Sequence, residues 1–232
     1  MPESVKSKGR AEVRVRDLLA RGLPAAYFAA AGALRWDRIA ASLAAWQVAA
    51  SSDEQVRVGL AFVQVLLELT FYLMVAGLFV FRARAVARDS RPRALLFAVG
   101  GALGAAPLVF MPPVELAAAP RLVASVLMAG GMLASCLILG TLGRHFGVRP
   151  GARGLVSHGA YSRVRHPLYV AEAVAQLGIL ITVLSPAAVF VYALYLALQF
   201  RRALLEEQVL AATFPAYREY QARTSRFIPG LI

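Results

Sequence analysis

The feature that most constrains this chain is a series of apolar runs, each close to the length that crosses a lipid bilayer. A spanning helix needs about 20 largely apolar residues. Three runs meet this requirement in succession: Val58–Phe81, Ala94–Met111 and Arg121–Leu142. A chain that repeats such runs cannot bury all of them in a water-soluble core, so the sequence predicts a membrane protein.

A fourth apolar run, Leu168–Phe200, is too long for a single span. Ser185 and Pro186 divide it into Leu168–Leu184 and Ala187–Phe200, because proline lacks the amide donor that would continue a helix. The predicted fold is therefore all-α: a polytopic membrane protein with about five transmembrane helices, the last two of which form a helical hairpin.

The charges lie between the apolar runs. Only 16% of the residues are charged, against about 25% in a soluble domain, yet the net charge is +12. Five arginines lie in Arg82–Arg93, five in Gly143–Pro167 and five after Phe200, whereas Pro112–Pro120 has none. Arginines placed in this way favour lipid head groups over nucleic acid as partners. They also predict that these loops and the C-terminus are cytoplasmic.

The N-terminal segment, residues 1–57, carries nine basic residues, and its apolar stretch Leu23–Ala50 is interrupted by Arg35, Asp37 and Arg38. We interpret it as one or two amphipathic helices at the membrane interface, which could also mediate oligomerisation. A sixth, broken span is the alternative. The predicted organisation is thus the basic segment 1–57, three spans within 58–142, and a C-terminal unit 143–232 that includes the hairpin 168–200.

Two polar clusters flank the hairpin, which returns the chain to the membrane face from which it started. Polar groups that a bilayer would otherwise reject are the natural candidates for function. Before the hairpin stand Leu155-Val156, Gly159, Tyr161, Arg165-His166-Pro167 and Tyr169; after it stand Arg202, Glu206-Glu207, Phe214, Tyr217 and Tyr220. We therefore expect the two clusters to meet at the cytoplasmic surface.

This ordered pattern, over about residues 140–229, resembles the isoprenylcysteine carboxyl methyltransferase family and its bacterial relatives. The resemblance implies a membrane methyltransferase that uses S-adenosyl-L-methionine, with Arg202 as the catalytic residue facing the substrate. The cofactor-binding residues it implies are Val156, Tyr161, His166, Pro167, Leu168, Tyr169 and Glu206. One departure is Ala171, where the family usually has glycine.

The residue types suit this chemistry. The methionyl part of the cofactor carries an ammonium, a carboxylate and a sulfonium, which call for Glu, for Arg or His, and for aromatic walls. A carboxylate acceptor is already ionised and needs no base, whereas a hydroxyl, thiol or amine would need one, such as His166 or Glu207. Glu172, four residues before Gln176 on one helix face, is a candidate for binding the acceptor.

The predicted acceptor is a lipophilic small molecule or lipidated group, with a carboxylate favoured, and the predicted location is the bacterial inner membrane. A membrane reductase of the sterol-reductase type, using NADPH, is one alternative. A non-enzymatic transporter or scaffold is the other. The three histidines and single cysteine have no metal-ligand spacing, so we expect no metal.

Overall fold

The computed structural model describes residues 3–231, with side chains from residue 18 onward. Helices dominate it, and the predicted all-α class is confirmed. The described α-helices are α1 (Glu3–Ala33), α2 (Trp36–Val48), α3 (Ser52–Phe81), α4 (Pro92–Leu103), α5 (Ala118–Leu142), α6 (Pro167–Thr182), α7 (Pro186–Thr213) and α8 (Ala216–Arg223). Two short strands, β1 (Ala87–Arg88) and β2 (Gly151–Ala152), pair antiparallel.

Four of the described helical segments are long and apolar enough to cross a membrane. They are α3, α5 with the turn that follows it, α7, and Pro92–Phe110, in which α4 continues as a 3-10 helix. The shorter apolar helix α6 adds a fifth segment, as the sequence predicts. Most of the surface of each long segment is exposed in the isolated chain, which is the expected state of a lipid-facing helix. The chain is an integral membrane protein.

The amphipathic N-terminal helices are present as α1 and α2, and they run antiparallel to α3 over its length. Near one end, Nη2 of Arg82 donates to the Ala20 carbonyl at 2.8 Å. At the middle, Nε of Arg35 lies 3.3 Å from Oε2 of Glu68. At the other end, a Cβ added to Gly59 would lie 2.9 Å from the Trp46 ring. Residues 20–46 therefore follow α3 from its C-terminal to its N-terminal end.

Helices α5 and α6 approach each other closely because glycines stand at their contact. A Cβ on Gly131 would lie 2.8 Å from the Ala171 carbonyl oxygen, and one on Gly178 would lie 2.6 Å from the Ala124 carbonyl oxygen. Small residues let helices pack backbone to backbone in lipid, where no hydrophobic effect drives them together. Ala171, where the resembled family has glycine, is thus part of a helix contact.

The α6–α7 hairpin turns where the sequence predicts. The Ser185 hydroxyl accepts from the Ala188 amide at 3.2 Å, and Pro186 occupies the first turn of α7. Its arms differ in length: 16 residues in α6 and 28 in α7, or about 24 Å and about 42 Å at the usual helical rise. Helix α7 continues 13 residues beyond the predicted end at Phe200. This extension is possible because the charged residues after Phe200 find partners in neighbouring segments.

Candidate functional site

The candidate site is a cavity bounded by the start of α6, the extended part of α7, the Leu142–Val156 loop and the C-terminal tail. The cavity has a volume of about 100 Å³ and opens to the surface. Aromatic, histidine and arginine side chains make up much of the wall, and Glu206 is its carboxylate. The two polar clusters that flank the hairpin therefore meet, as expected from the sequence.

Tyr169, Arg202 and Glu206 form the centre of the cavity wall. The Tyr169 hydroxyl donates to Oε1 of Glu206 at 2.6 Å, and Nε of Arg202 lies 3.4 Å from the same oxygen. The Arg202 guanidinium also lies over the Tyr169 ring, 4.8 Å from its centroid. Glu206 retains 20% side-chain exposure, so its carboxylate can still accept from a ligand.

The neighbouring carboxylate, Glu207, is fully occupied by protein donors. Arg165 donates to it at 2.9 Å, Arg226 at 3.0 and 3.1 Å, and Gln221 at 3.0 Å. The His166 ring lies 3.2 Å from Oε1 of the same carboxylate. A carboxylate held by this many donors is a structural anchor, and it is not free to act as a base.

The C-terminal tail closes one side of the cavity. The Arg165 and His166 amides donate to the Ser225 and Arg226 carbonyls at 2.8 and 3.0 Å. The Tyr220 hydroxyl donates to the Tyr161 carbonyl at 2.7 Å, and burial raises the pKa of Tyr220 to about 12. This tyrosine therefore stays a neutral donor, which keeps α8 attached to the turn before α6.

Arg153 enters the cavity from β2 and the turn after it. The side chain is only 8% exposed, and burial, followed by the charges of Arg82 and Arg88, lowers its pKa to about 10. It remains protonated at neutral pH. A Cβ on Gly147 would lie 2.6 Å from Cζ of Arg153, so the guanidinium occupies the space that a side chain at this position would need.

Most of the predicted site residues line this cavity, namely Val156, Tyr161, His166, Leu168, Tyr169, Arg202 and Glu206. Two lie outside its wall. Pro167 is buried in the first turn of α6. Glu172 lies further along α6, where its carboxylate accepts from Nε2 of Gln199 on α7 at 3.0 Å. The sequence alone does not distinguish this helix-to-helix contact from a contact with ligand.

Several wall residues were missed by sequence reasoning, which treated the arginine-rich loop as a topological signal. They include His145, Arg149, Arg153 and Leu210. Arg165 and Tyr217 also line the wall; both belong to the two polar clusters, but neither was predicted to bind ligand. The His145 ring lies 3.1 Å from the Arg153 carbonyl oxygen. Two glycines within this loop, Gly147 and Gly154, are a sequence signal for close packing of the side chains around them. Side chains there would collide with Arg153 and with the His145 ring.

Comparison with known proteins confirms the predicted resemblance. Residues 120–216 match the phospholipid methyltransferase family. The match includes the Arg165-His166-Pro167 segment, the hairpin and the Glu206-Glu207 pair.

The chain is also similar to the cobalt-zinc-cadmium resistance protein CzcN of Cupriavidus metallidurans. The two are 41% identical over 78 residues, which is 33% of this chain and 36% of that protein. The chain thus matches about a third of the length of this relative.

The fold is similar to that of the eukaryotic intramembrane Ras methyltransferase ICMT (isoprenylcysteine carboxyl methyltransferase). The TM-score is 0.50, with 18% identity, 100% of this chain covered and 88% of the other. At this identity the likeness concerns the fold, and it agrees with the polytopic helical architecture.

Proposed function

We propose that this chain methylates a lipophilic acceptor with S-adenosylmethionine. The match of residues 120–216 to the phospholipid methyltransferase family and the likeness of the fold to that of an intramembrane methyltransferase support the proposal. The observation that carries the proposal is the contact between Tyr169 and Glu206 at 2.6 Å. It joins two motifs that are 37 residues apart in sequence within one cavity wall.

The residues present fit the cofactor. Glu206 offers a partly exposed carboxylate for an ammonium group, and the guanidiniums of Arg153 and Arg202 suit a carboxylate. The aromatic rings of Tyr161 and Tyr169 suit the cationic and flat parts of the molecule. When bound, S-adenosylmethionine supplies an electrophilic methyl group on a sulfonium.

The residues of the chain orient the acceptor and exclude water from the cavity. Arg202 is anchored by Glu206 and packed on Tyr169, so it can hold an anionic acceptor in one orientation. Tyr217 and Tyr220 on the wall limit the entry of water. Glu207 is fully hydrogen-bonded and His166 is held against it, so neither is placed to take a proton. This arrangement favours an acceptor that is already ionised, such as a carboxylate, at the cytoplasmic face of the bacterial inner membrane.

The test is calorimetric titration of S-adenosylhomocysteine into the detergent-purified full chain. We expect binding that Glu206→Gln and Tyr169→Phe weaken at least tenfold, because a hydrogen bond to a charged group contributes about 1.5–3 kcal/mol. Glu219→Gln is the matched control, since its side chain is 79% exposed on α8. If the folded wild type does not bind S-adenosylhomocysteine but binds NADPH, the result would contradict the proposal and favour a reductase.

A further inference from the structure

Arg153 is a buried cation without a protein counterion. Its side chain is 8% exposed and lines the cavity. Among the residues whose side chains the structure describes, no carboxylate lies within ion-pair distance of it, and its Nε has no hydrogen-bond partner. Burying an unpaired charge is costly, so a cation in this state is typical of a site that is completed by a ligand.

The charges of the cavity do not balance. Arg165 is paired with Glu207 at 2.9 Å, and Arg202 with Glu206 at 3.4 Å. Arg149 donates only to the backbone carbonyl of Asp89, at 3.1 Å. Within the described part of the chain, Arg149 and Arg153 therefore leave a positive surplus at this wall.

The proposed cofactor alone does not remove this surplus. S-adenosylmethionine carries one carboxylate but also an ammonium and a sulfonium, so it brings a net positive charge. The positive charge of this wall can still be balanced locally, by the cofactor's own carboxylate or by an anionic head group of the acceptor.

Arg153 and Arg202 converge on Gly147. Nη2 of Arg202 donates to the Gly147 carbonyl at 3.4 Å. The Arg153 guanidinium occupies the space that a Gly147 side chain would need, 2.6 Å from the Cβ position to Cζ. Two guanidiniums beside Gly147, of which only that of Arg202 is paired with the Glu206 carboxylate among the described residues, form an arrangement that suits planar or phosphate anions.

We propose that Arg153, with Arg202 beside it, is the position at which a bound ligand places a carboxylate or phosphate group. The inference rests on the proposed function only for the choice of ligand. Because the Arg153 guanidinium has no counterion among the described side chains, replacing it removes a source of instability and a source of affinity together.

The experiment compares the wild type with Arg153→Gln, Arg153→Lys and the control Arg163→Gln, whose side chain is exposed in the same loop. Calorimetry on the detergent-purified full chain uses three probes: S-adenosylhomocysteine, 5′-methylthioadenosine, which lacks the carboxylate, and dodecyl phosphate. Thermal unfolding without ligand is measured in parallel.

We expect Arg153→Gln to unfold at or above the wild-type temperature. It should bind either S-adenosylhomocysteine or dodecyl phosphate at least tenfold more weakly. Loss of S-adenosylhomocysteine assigns the cofactor carboxylate to Arg153, and loss of dodecyl phosphate assigns the acceptor head group. Binding of 5′-methylthioadenosine should be unchanged. Arg153→Lys should recover part of the lost affinity, and Arg163→Gln should bind like the wild type.

The inference is overturned if Arg153→Gln binds both anionic probes with wild-type affinity, or if it also loses 5′-methylthioadenosine, which would mark a structural role. A wild type that binds dodecyl phosphate through Arg153 but never binds S-adenosylhomocysteine would keep the anion site and reject the methyltransferase proposal. The two failures are thereby distinguishable.

Discussion

At the scale of single residues, Glu206 and Glu207 are neighbours with opposite surroundings. The Glu206 carboxylate faces the cavity with Tyr169 and Arg202, and its side chain is 20% exposed. The Glu207 side chain is 5% exposed and is bound by two arginines, a histidine and a glutamine. Adjacent positions on a helix point in different directions. Under the proposed function, the pair therefore divides ligand binding and structural anchoring between two otherwise identical side chains.

Glu207→Gln should destabilise the protein, because it leaves the buried guanidinium of Arg165 without its counterion. We expect a cost of about 3 kcal/mol, measured as a lower thermal unfolding temperature in detergent. Glu206→Gln serves as the comparison and should unfold close to the wild-type temperature while losing S-adenosylhomocysteine. Equal destabilisation by the two variants would contradict this division of roles.

Asp89 gives a pH dependence at the residue scale. Its hydrogen bond from Arg91 lowers the pKa of the carboxyl from 3.8 to about 2. Because the pKa is lower in the folded chain, this contribution to stability is complete above about pH 4 and is lost as the pH falls towards 2. Asp89→Asn should therefore unfold at a lower temperature than the wild type at pH 6. The difference should shrink between pH 4 and pH 2, and a difference that stays constant would contradict the assignment.

At the scale of helices, the site depends on how closely α5 holds α6. Gly131 and Gly178 bring the two backbones together, and α6 begins at Pro167, next to His166 and Tyr169 in the cavity. A shift of α6 along or away from α5 would therefore move Tyr169 relative to Glu206. The hairpin partner α7 is longer and carries Arg202 and Glu206 past the end of the apolar span.

Gly131→Ala should disrupt this contact, because its Cβ would lie 2.8 Å from the Ala171 carbonyl oxygen. Overpacking of this kind costs about 1–3 kcal/mol, and we expect a lower unfolding temperature together with weaker S-adenosylhomocysteine binding. Gly130→Ala is the matched control, since nothing lies within 4 Å of its added Cβ. Alanine is also favoured over glycine in helices by about 1 kcal/mol. Equal behaviour of the two variants would rule out the proposed helix contact.

At the scale of the whole molecule, the antiparallel course of α1 and α2 along α3 bears on membrane topology. If residues 20–46 cross the bilayer beside α3, the basic N-terminus lies on the same side as the arginine-rich loops and the C-terminal tail. This arrangement satisfies the positive-inside rule, which five spans alone do not. The Arg35–Glu68 ion pair at 3.3 Å then neutralises charge within the membrane.

This topology is testable by cysteine labelling in a Cys136→Ala background. We expect Ser51→Cys, between α2 and α3, and Glu115→Cys, between the second and third long spans, to react with an impermeant maleimide in intact cells. Ser162→Cys, exposed in the loop before α6, should react only after permeabilisation. Ser51 is external in either topology, so the discriminating position is Leu18→Cys, whose side chain is exposed on α1. It should react only after permeabilisation if α1 and α2 cross the membrane, and its reaction in intact cells would place them at the outer interface instead.

The sequence by itself determined the membrane architecture and seven of the residues that line the cavity. Apolar runs of bilayer length, the Ser185-Pro186 break and the ordered motif around His166 are local signals, because hydrophobicity and backbone chemistry act within a segment. The resemblance to a methyltransferase family rested on the same ordered residues, and Tyr169, Arg202 and Glu206, which it predicts to bind cofactor or substrate, are in contact in the structure.

Only the tertiary structure decided which polar residue faces the ligand and which faces another helix. Glu172 and Arg153 illustrate this, since Glu172 contacts Gln199, whereas Arg153 lines the cavity with no counterion among the side chains from residue 18 onward. The course of α1 and α2 along α3 was likewise undetermined, because Arg35 is acceptable near lipid only beside Glu68, 33 residues away. Such pairings depend on the distance between segments in space, which a local pattern does not contain.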